Sequence, residues 1–432
     1  MCFSKSSAPL CALLQLLLVT SSTISRVSAA TPQDDGDNAI PQKHLQWTGC
    51  LPGPLVHASI PTCVTLAASG LDRDHDKLLP PADTAGPWAY APFCADPTPY
   101  CAFTSTAFQS RGVSVITAKP SNSTSALSLI ASIVSSRFPP PIRLPSGNPP
   151  YEVREIKNKG LGVVATRKIP RGSKFMLDYA MVLADMEMPS KLRMAQGREL
   201  VRRAMDRLPD PEKVLGLARS SLTPDKTPAA EDVLRTNAFE VELGGKRFMG
   251  LFPDIARINH ACKPSAMTKF NATDLSNTVT AFRDILPGEE ITISYTAYNL
   301  PSSDRRPRLE AQWGFKCTCD LCSSPASELA ASDARRRKID QVGPRVLRAV
   351  DKGDFEAAIR LNRDLIDTIR EEGMMPHMGD YYEIMGRLYL AWAKTREART
   401  WFNRALGEYK AAGVTEGVEK LEGVIRQLSG AN

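Results

Sequence analysis

The run Cys317-Thr318-Cys319-Asp320-Leu321-Cys322 puts three thiols into six residues. Sulfur ligands at this density suit a structural zinc ion, which takes four thiolates in a tetrahedron. Cys262, in Ile258-Asn259-His260-Ala261-Cys262, is the obvious fourth. The competing chemistry is oxidation to disulfides, since four is an even number, although Cys317 and Cys319 are too close in sequence to pair easily. Other reactive types lie in neighbouring strings. Asn259 and His260 offer an amide, an imidazole and two backbone groups to a ligand. The string Gly288-Glu289-Glu290-Ile291-Thr292-Ile293-Ser294-Tyr295 ends on a phenol. Upstream, Lys159-Gly160-Leu161-Gly162-Val163 carries two glycines, where a backbone can approach a ligand with no Cβ in the way. Taken singly, each string has an ordinary reading as a capped turn, a strand end or a hairpin.

Residues so far apart in sequence need a frame to bring them together. From Tyr151 the chain reads as short β-rich runs between turns: Tyr151-Glu152-Val153, Gly162 to Thr166, and Lys174 to Leu177. Residues 187–235 differ, with Leu192, Leu200, Val201 and Met205 at helical spacing, and read as a helical insertion. Strand texture returns at Ala238 to Leu243, where Gly244-Gly245 turns the chain back into Arg247-Phe248-Met249. A second hairpin is expected over Thr278 to Tyr295, around Pro287-Gly288. The β-rich region spans residues 151–298 and a cysteine-rich flank spans 299–325. Residues 326–432 read as helical. Within them, 379–412 match the tetratricopeptide period, with Gly386 and Tyr389 on a first helix and Ala398, Phe402 and Ala405 on a second. A stable array needs about three repeats, so this pair is expected to pack on neighbouring helices as a cap, or to offer a groove to a peptide partner. The fold class is α+β.

The first 150 residues read differently. Residues 1–29 look like a secretory signal, with Lys5, a short apolar core from Leu10 to Val19, and small residues at Val27-Ser28-Ala29. Residues 30–150 are rich in Pro and Cys and read as a loop-rich extension ending in a linker. Cys50, Cys63, Cys94 and Cys101 form an even set that suits two disulfides in an oxidising compartment. Asn122 and Asn271 head glycosylation sequons. Entry to the secretory pathway is the expected route, with a nuclear or cytoplasmic location as the alternative. No segment has the ~20 apolar residues that span a bilayer. A net charge of +7 over 432 residues is too mild to call for nucleic acid. The densest basic run, Arg335-Arg336-Arg337-Lys338, reads as a solvated helix face, against a localisation or phosphate-contact role.

Taken in order, these strings resemble the catalytic half of a SET-domain protein methyltransferase, together with Lys159 to Val163 and Ile169-Pro170-Arg171-Gly172 upstream. The likeness covers roughly residues 150–322. It is to the SET-and-MYND type without the MYND finger, since the insertion has no cysteine. Tyr100 to Thr104 followed by Arg111-Gly112-Val113 resembles the front of some fungal SET-domain proteins. The resemblance implies a β-rich SET domain at 151–298 and a zinc-binding post-SET flank at 299–325. It implies transfer of a methyl group from S-adenosylmethionine to a lysine side chain of a protein substrate. Tyr295 matches the active-site tyrosine. Gly160, Leu161, Gly162, Asn237, Asn259, His260, Tyr295 and Phe315 match donor-site positions, while Cys262, Cys317, Cys319 and Cys322 match the zinc ligands. Trp313 stands in the substrate channel where many members have a second tyrosine. Ala261 and Ser265 replace the usual Ser and Asn around the Asn-His pair. Two other readings compete: a non-catalytic SET and tetratricopeptide scaffold, and a secreted structural protein held by disulfides.

Overall fold

Short β-branched runs between turns become thirteen strands in three sheets among the described residues. The structure is a computed structural model and describes residues 86–119, 125–136, 148–218, 229–374, 378–412 and 414–429. The leader at 1–29, Cys50, Cys63, Asn122 and the linker at 138–141 lie outside the described residues. The chain begins with β1 (Phe93–Cys94), β2 (Tyr100–Ser105) and β3 (Val113–Ala118), followed by helix α1 (Ala126–Ser135). Then come β4 (Tyr151–Ile156), β5 (Gly160–Ala165), β6 (Lys174–Tyr179) and β7 (Val182–Asp185). Four helices follow: α2 (Met188–Lys191), α3 (Met194–Asp206), α4 (Pro211–Leu215) and α5 (Ala229–Asn237). The remaining strands are β8 (Phe239–Leu243), β9 (Lys246–Leu251), β10 (Asn259–His260), β11 (Ala266–Asn271), β12 (Ser276–Ala281) and β13 (Glu290–Ile293).

The largest sheet has the order β1-β2-β3-β7-β9-β8. Five of the six residues of β3 are buried, as expected of a β-branched strand covered on both faces, and β3 pairs in parallel with β7. The strands before residue 119 therefore continue a sheet whose other half comes from residues 182–251, across the composition change near residue 150. Cys94 and Cys101 sit opposite each other in the β1–β2 pair and form a disulfide. Helix α3 buries Leu200, Val201, Ala204 and Met205 in a core shared with Ala102, Ile116 and Val182 of this sheet.

Gly244 and Gly245 both have positive φ (55° and 74°), which is what a two-residue hairpin turn between β8 and β9 demands. The hairpin expected over 278–295 does not form. β12 pairs with β11 and β6, whereas β13 pairs antiparallel with β5 and parallel with β10. The reason is local. The turn at Pro287-Gly288 folds onto the end of β5, where Gly288 N donates to Ala165 O and Ala165 N donates to Glu289 O. All six residues of β12 are buried, so that strand needs neighbours on both edges.

The chain then becomes helical: α6 (Ser302–Trp313), α7 (Asp320–Ser323), α8 (Ala326–Asp351), α9 (Phe355–Glu372), α10 (Met378–Ala391), α11 (Thr395–Ala412) and α12 (Thr415–Ser429). From α8 onward each helix packs on the next. The tetratricopeptide positions meet as their sizes require. Gly386 of α10 lies under the Phe402 ring of α11, and Ala398, Phe402 and Ala405 are buried. Among the described residues the helical unit is tied to the β-rich part by Arg171 pairing with Glu408 of α11, by Arg336 of α8 reaching the Cys262 loop, and by Tyr298 packing into the helical core.

The basic run at 335–338 is not a solvated face. Arg336 is buried and paired with buried Glu372, Arg335 shares that carboxylate, and only Arg337 and Lys338 turn outward. A helix packed on α9 and reaching the Cys262 loop cannot keep four consecutive positions in water.

Candidate active site and metal centre

Pairing of β10 alongside β13 sets Asn259 opposite Thr292 and His260 opposite Ile293, two residues before Tyr295. Three segments distant in sequence meet here, because β5 lies on the other edge of β13. Asn259 Nδ2 donates to Leu161 O (3.2 Å) and to Glu290 Oε1 (3.0 Å), and Lys159 Nζ pairs with Glu290 Oε2 at 2.6 Å. Gly162 is required by this arrangement, since a Cβ there would stand 2.7 Å from Asn259 Nδ2. Gly160, at φ +71°, and Leu161 stay exposed at the start of β5.

His260 points inward. Its Nδ1 accepts from Tyr295 N (3.0 Å), which leaves the proton on Nε2, 3.3 Å from Cys262 Sγ. Burial is the main cause that lowers its pKa to about 4, with Arg305, Arg336 and Lys159 adding to it and Cys322 opposing. The imidazole is therefore neutral and ties the Tyr295 backbone to a cysteine.

Tyr295 stands at the wall of a cavity of about 340 Å³. The end of α5, the start of β8, Ile258 and one side of α6 complete the lining, with Asn237 and Trp313 among them. Tyr295 Oη donates to Ile258 O at 2.8 Å. Trp313 packs 5.3 Å from the Tyr295 ring, and its Nε1 donates to Thr236 O (3.0 Å). Phe315 makes an edge contact with Tyr295 at 6.4 Å and lies 6.2 Å from His260. Asn237 spends its amide on α5 and its surroundings, donating to Val233 O, Leu217 O and Thr236 Oγ1.

The structure thus gathers Tyr295, Trp313 and Asn237 on the cavity, and Gly162, Leu161 and Asn259 in a second cluster on β5. His260 and Phe315 lie between Tyr295 and the cysteines. Glu290, Lys159 and the Ile258 carbonyl were not singled out from the sequence, although Glu290 stands inside the Gly-Glu-Glu string.

The four thiols of Cys262, Cys317, Cys319 and Cys322 converge, all sulfurs lying within 4.8 Å of one another. Cys262 Sγ is 3.9 Å from Cys317 Sγ and 3.6 Å from Cys322 Sγ. A tetrahedron with zinc–sulfur bonds of ~2.3 Å has sulfur edges of ~3.8 Å, so the cluster has the dimensions of a zinc site. All four are free thiols, unlike Cys94 and Cys101. Hydrogen bonding among the four sulfurs splits their pKa values, lowering Cys319 and Cys322 and raising Cys262 and Cys317. Among the described residues this is the one cluster of metal-ligating side chains.

The parallel two-residue strand carrying Asn259-His260, Tyr295 just beyond β13 and the four-thiol flank lie in or beside residues 160–296, which match the SET domain family model. The chain carries that domain and resembles SET-domain methyltransferases of the SET-and-MYND type. It is 33% identical over 114 residues to N-lysine methyltransferase SMYD2-B of Danio rerio, covering 26% of each chain. It is 27% identical over 195 residues to histone-lysine N-methyltransferase set5 of Schizosaccharomyces pombe, covering 44% of this chain and 56% of that one. Over 76 residues it is 40% identical to histone-lysine N-methyltransferase SMYD3 of Homo sapiens, covering 18% of this chain and 17% of that protein. The chain thus spans between about a sixth and just over half of these relatives.

Proposed function

We propose that this protein is an S-adenosylmethionine-dependent protein-lysine N-methyltransferase. The observation that carries the reading is Tyr295: it lies two residues beyond β13 at a cavity wall, its hydroxyl oriented by a hydrogen bond to the Ile258 carbonyl. Bound S-adenosylmethionine supplies an electrophilic methyl on a sulfonium. Gly160, Leu161, Gly162, Asn237, Asn259, His260 and Phe315 would hold it, and the fit rests on the glycine-lined β5 edge beside Asn259 and the aromatic floor of Phe315 and Tyr295. The protein has two tasks toward the acceptor. A lysine amine has a free pKa of ~10.4 and must lose its proton before it can attack; an apolar, aromatic channel walled by Trp313 and Tyr295 disfavours the charged form. The Tyr295 oxygen then accepts from an amine N–H and points the nitrogen lone pair along the channel, fixing a near-attack geometry.

Trp313 fills the space of a second hydroxyl-bearing residue and turns its only donor away to Thr236, so the acceptor nitrogen is oriented by Tyr295 alone among these ring side chains. The four thiols would hold zinc, which closes the flank carrying Phe315 over the site. The test is transfer of labelled methyl from S-adenosylmethionine to lysine in a pool of acceptor proteins. Methyl-lysine in the hydrolysate supports the reading; donor binding with no methyl-lysine on any acceptor supports a binding scaffold instead.

The Cys94–Cys101 disulfide supports folding in an oxidising compartment, and with it passage through the secretory pathway. Mass spectrometry of the protein from its own host tests this. An N-terminus near Ala30 with Cys94 and Cys101 oxidised agrees with it; one beginning at Met1 or Cys2 with free thiols places the protein in the nucleus or cytoplasm.

A further inference from the structure

The cavity beside Tyr295 is apolar over much of its wall, where Met186, Leu234, Phe239, Met249 and Ile258 line it. Its charged lining consists of Arg235 at the end of α5, Arg308 on α6 and Glu240 on β8. Two of these charges are already answered. Arg235 Nη2 pairs with buried Asp232 Oδ1 (3.0 Å), and its Nη1 donates to Gln312 O (2.9 Å), which pins the end of α5 to α6. Glu240 pairs with Arg247 (3.2 Å), both side chains being more than half exposed.

Arg308 is different. It is exposed, and among the described residues it makes no ion pair and no side-chain hydrogen bond. Asp304, one turn earlier on α6, is engaged with the Ser303 hydroxyl instead. The helix sets where Arg308 stands. α6 buries Arg305 and Leu309 on one side, and positions 308 and 312, one turn apart, share the face that lines the cavity. Of the three charged side chains on this wall, Arg308 is therefore the one with no counter-charge in the fold.

An arginine left unpaired at the wall of an acceptor site acts on whatever chain brings the lysine in. Its planar fork matches a carboxylate with two parallel N–H groups. It repels a second lysine or arginine carried next to the one being methylated. We propose that Arg308 is a specificity-determining residue, which selects acceptor lysines that have an aspartate or glutamate close by in sequence. This rests on the chain being a protein-lysine methyltransferase.

The test uses the full-length protein, labelled S-adenosylmethionine and a peptide pool in which one lysine is fixed and its neighbours on either side are randomised. Methylated peptides are sequenced by mass spectrometry. Wild type should favour acidic over neutral neighbours by about two- to fivefold, the scale of one partly exposed ion pair, and should disfavour basic ones. The preference should shrink as salt is raised. Arg308→Gln should abolish it and Arg308→Glu should turn it toward basic neighbours. Arg360→Glu makes the same change of net charge on α9, where Arg360 pairs with exposed Glu356, and should keep the wild-type preference. Calorimetric affinity for S-adenosylmethionine should be the same in wild type and Arg308→Glu. Methylation with no charge preference, or a preference that survives in Arg308→Glu, overturns the inference and leaves the transferase reading standing. Loss of donor affinity in Arg308→Glu also overturns it, by placing this guanidinium on the donor. No methyl on any peptide or protein acceptor overturns both.

Discussion

The Tyr295 side chain has one polar atom, and its hydrogen is given to the Ile258 carbonyl. Tyr295→Phe removes the acceptor that orients the amine and touches nothing that binds adenosine. Methyl transfer should fall by roughly 100-fold or more, the scale of one lost preorganised polar contact, while calorimetric donor affinity stays within a few-fold. Equal turnover in the two proteins would take the catalytic role from this residue. Gly162 tests the donor side. A methyl there would press on the Asn259 amide and on Ile156 at 2.7 Å, and overpacking of this kind costs ~1–3 kcal/mol. Gly162→Ala should therefore weaken donor binding about tenfold or more by displacing Asn259, whereas unchanged affinity would separate Asn259 from the donor site. At this scale the sequence was readable where residue type restricts chemistry. Three thiols in six residues pointed to their fourth partner, and the structure brings them together. Arg336 was not readable as a partner of the Cys262 loop, because guanidiniums are ordinarily surface groups and it is the packing of α8 that buries this one.

Elements differ in how much a local pattern decides. The β8–β9 turn was legible because two consecutive glycines with positive φ have few other uses. The segment 278–295 was misread as a hairpin because strand texture and a Pro-Gly turn say where a chain bends, not which edge it joins. Its partner was settled by the free edge of β5 and by the need of β12 for neighbours on both sides. The helix pair α10–α11 was legible from its alternation of small and large residues. It gives a direct test, since a Cβ on Gly386 would lie 2.6 Å from the Phe402 ring. Alanine gains ~1 kcal/mol over glycine in a helix, but the ring is 1% exposed and has nowhere to move, and overpacking costs ~1–3 kcal/mol. Gly386→Ala should thus lower the unfolding midpoint, and a raised midpoint would show that the two helices are not pressed together there.

At the scale of the molecule, the α+β class and the all-helical C-terminal part were legible, while the way the parts share sheets and charges was not. Composition suggested a boundary near residue 150, but β3 pairs with β7 across it. Likewise the helical unit is not a separate appendage, because Arg336 and Arg171 among others fasten it to the β-rich part that carries the site. Such joints involve single side chains far apart in sequence, and no periodicity announces them. Everything in this account converges on a donor site between β5, β10 and the Phe315 flank. The most direct measurement is calorimetric titration of the purified chain with S-adenosylmethionine. The account predicts saturable binding of one donor per chain, lost or severely weakened in Asn259→Ala and kept in Tyr295→Phe. No heat of binding from a folded, zinc-loaded protein would contradict it.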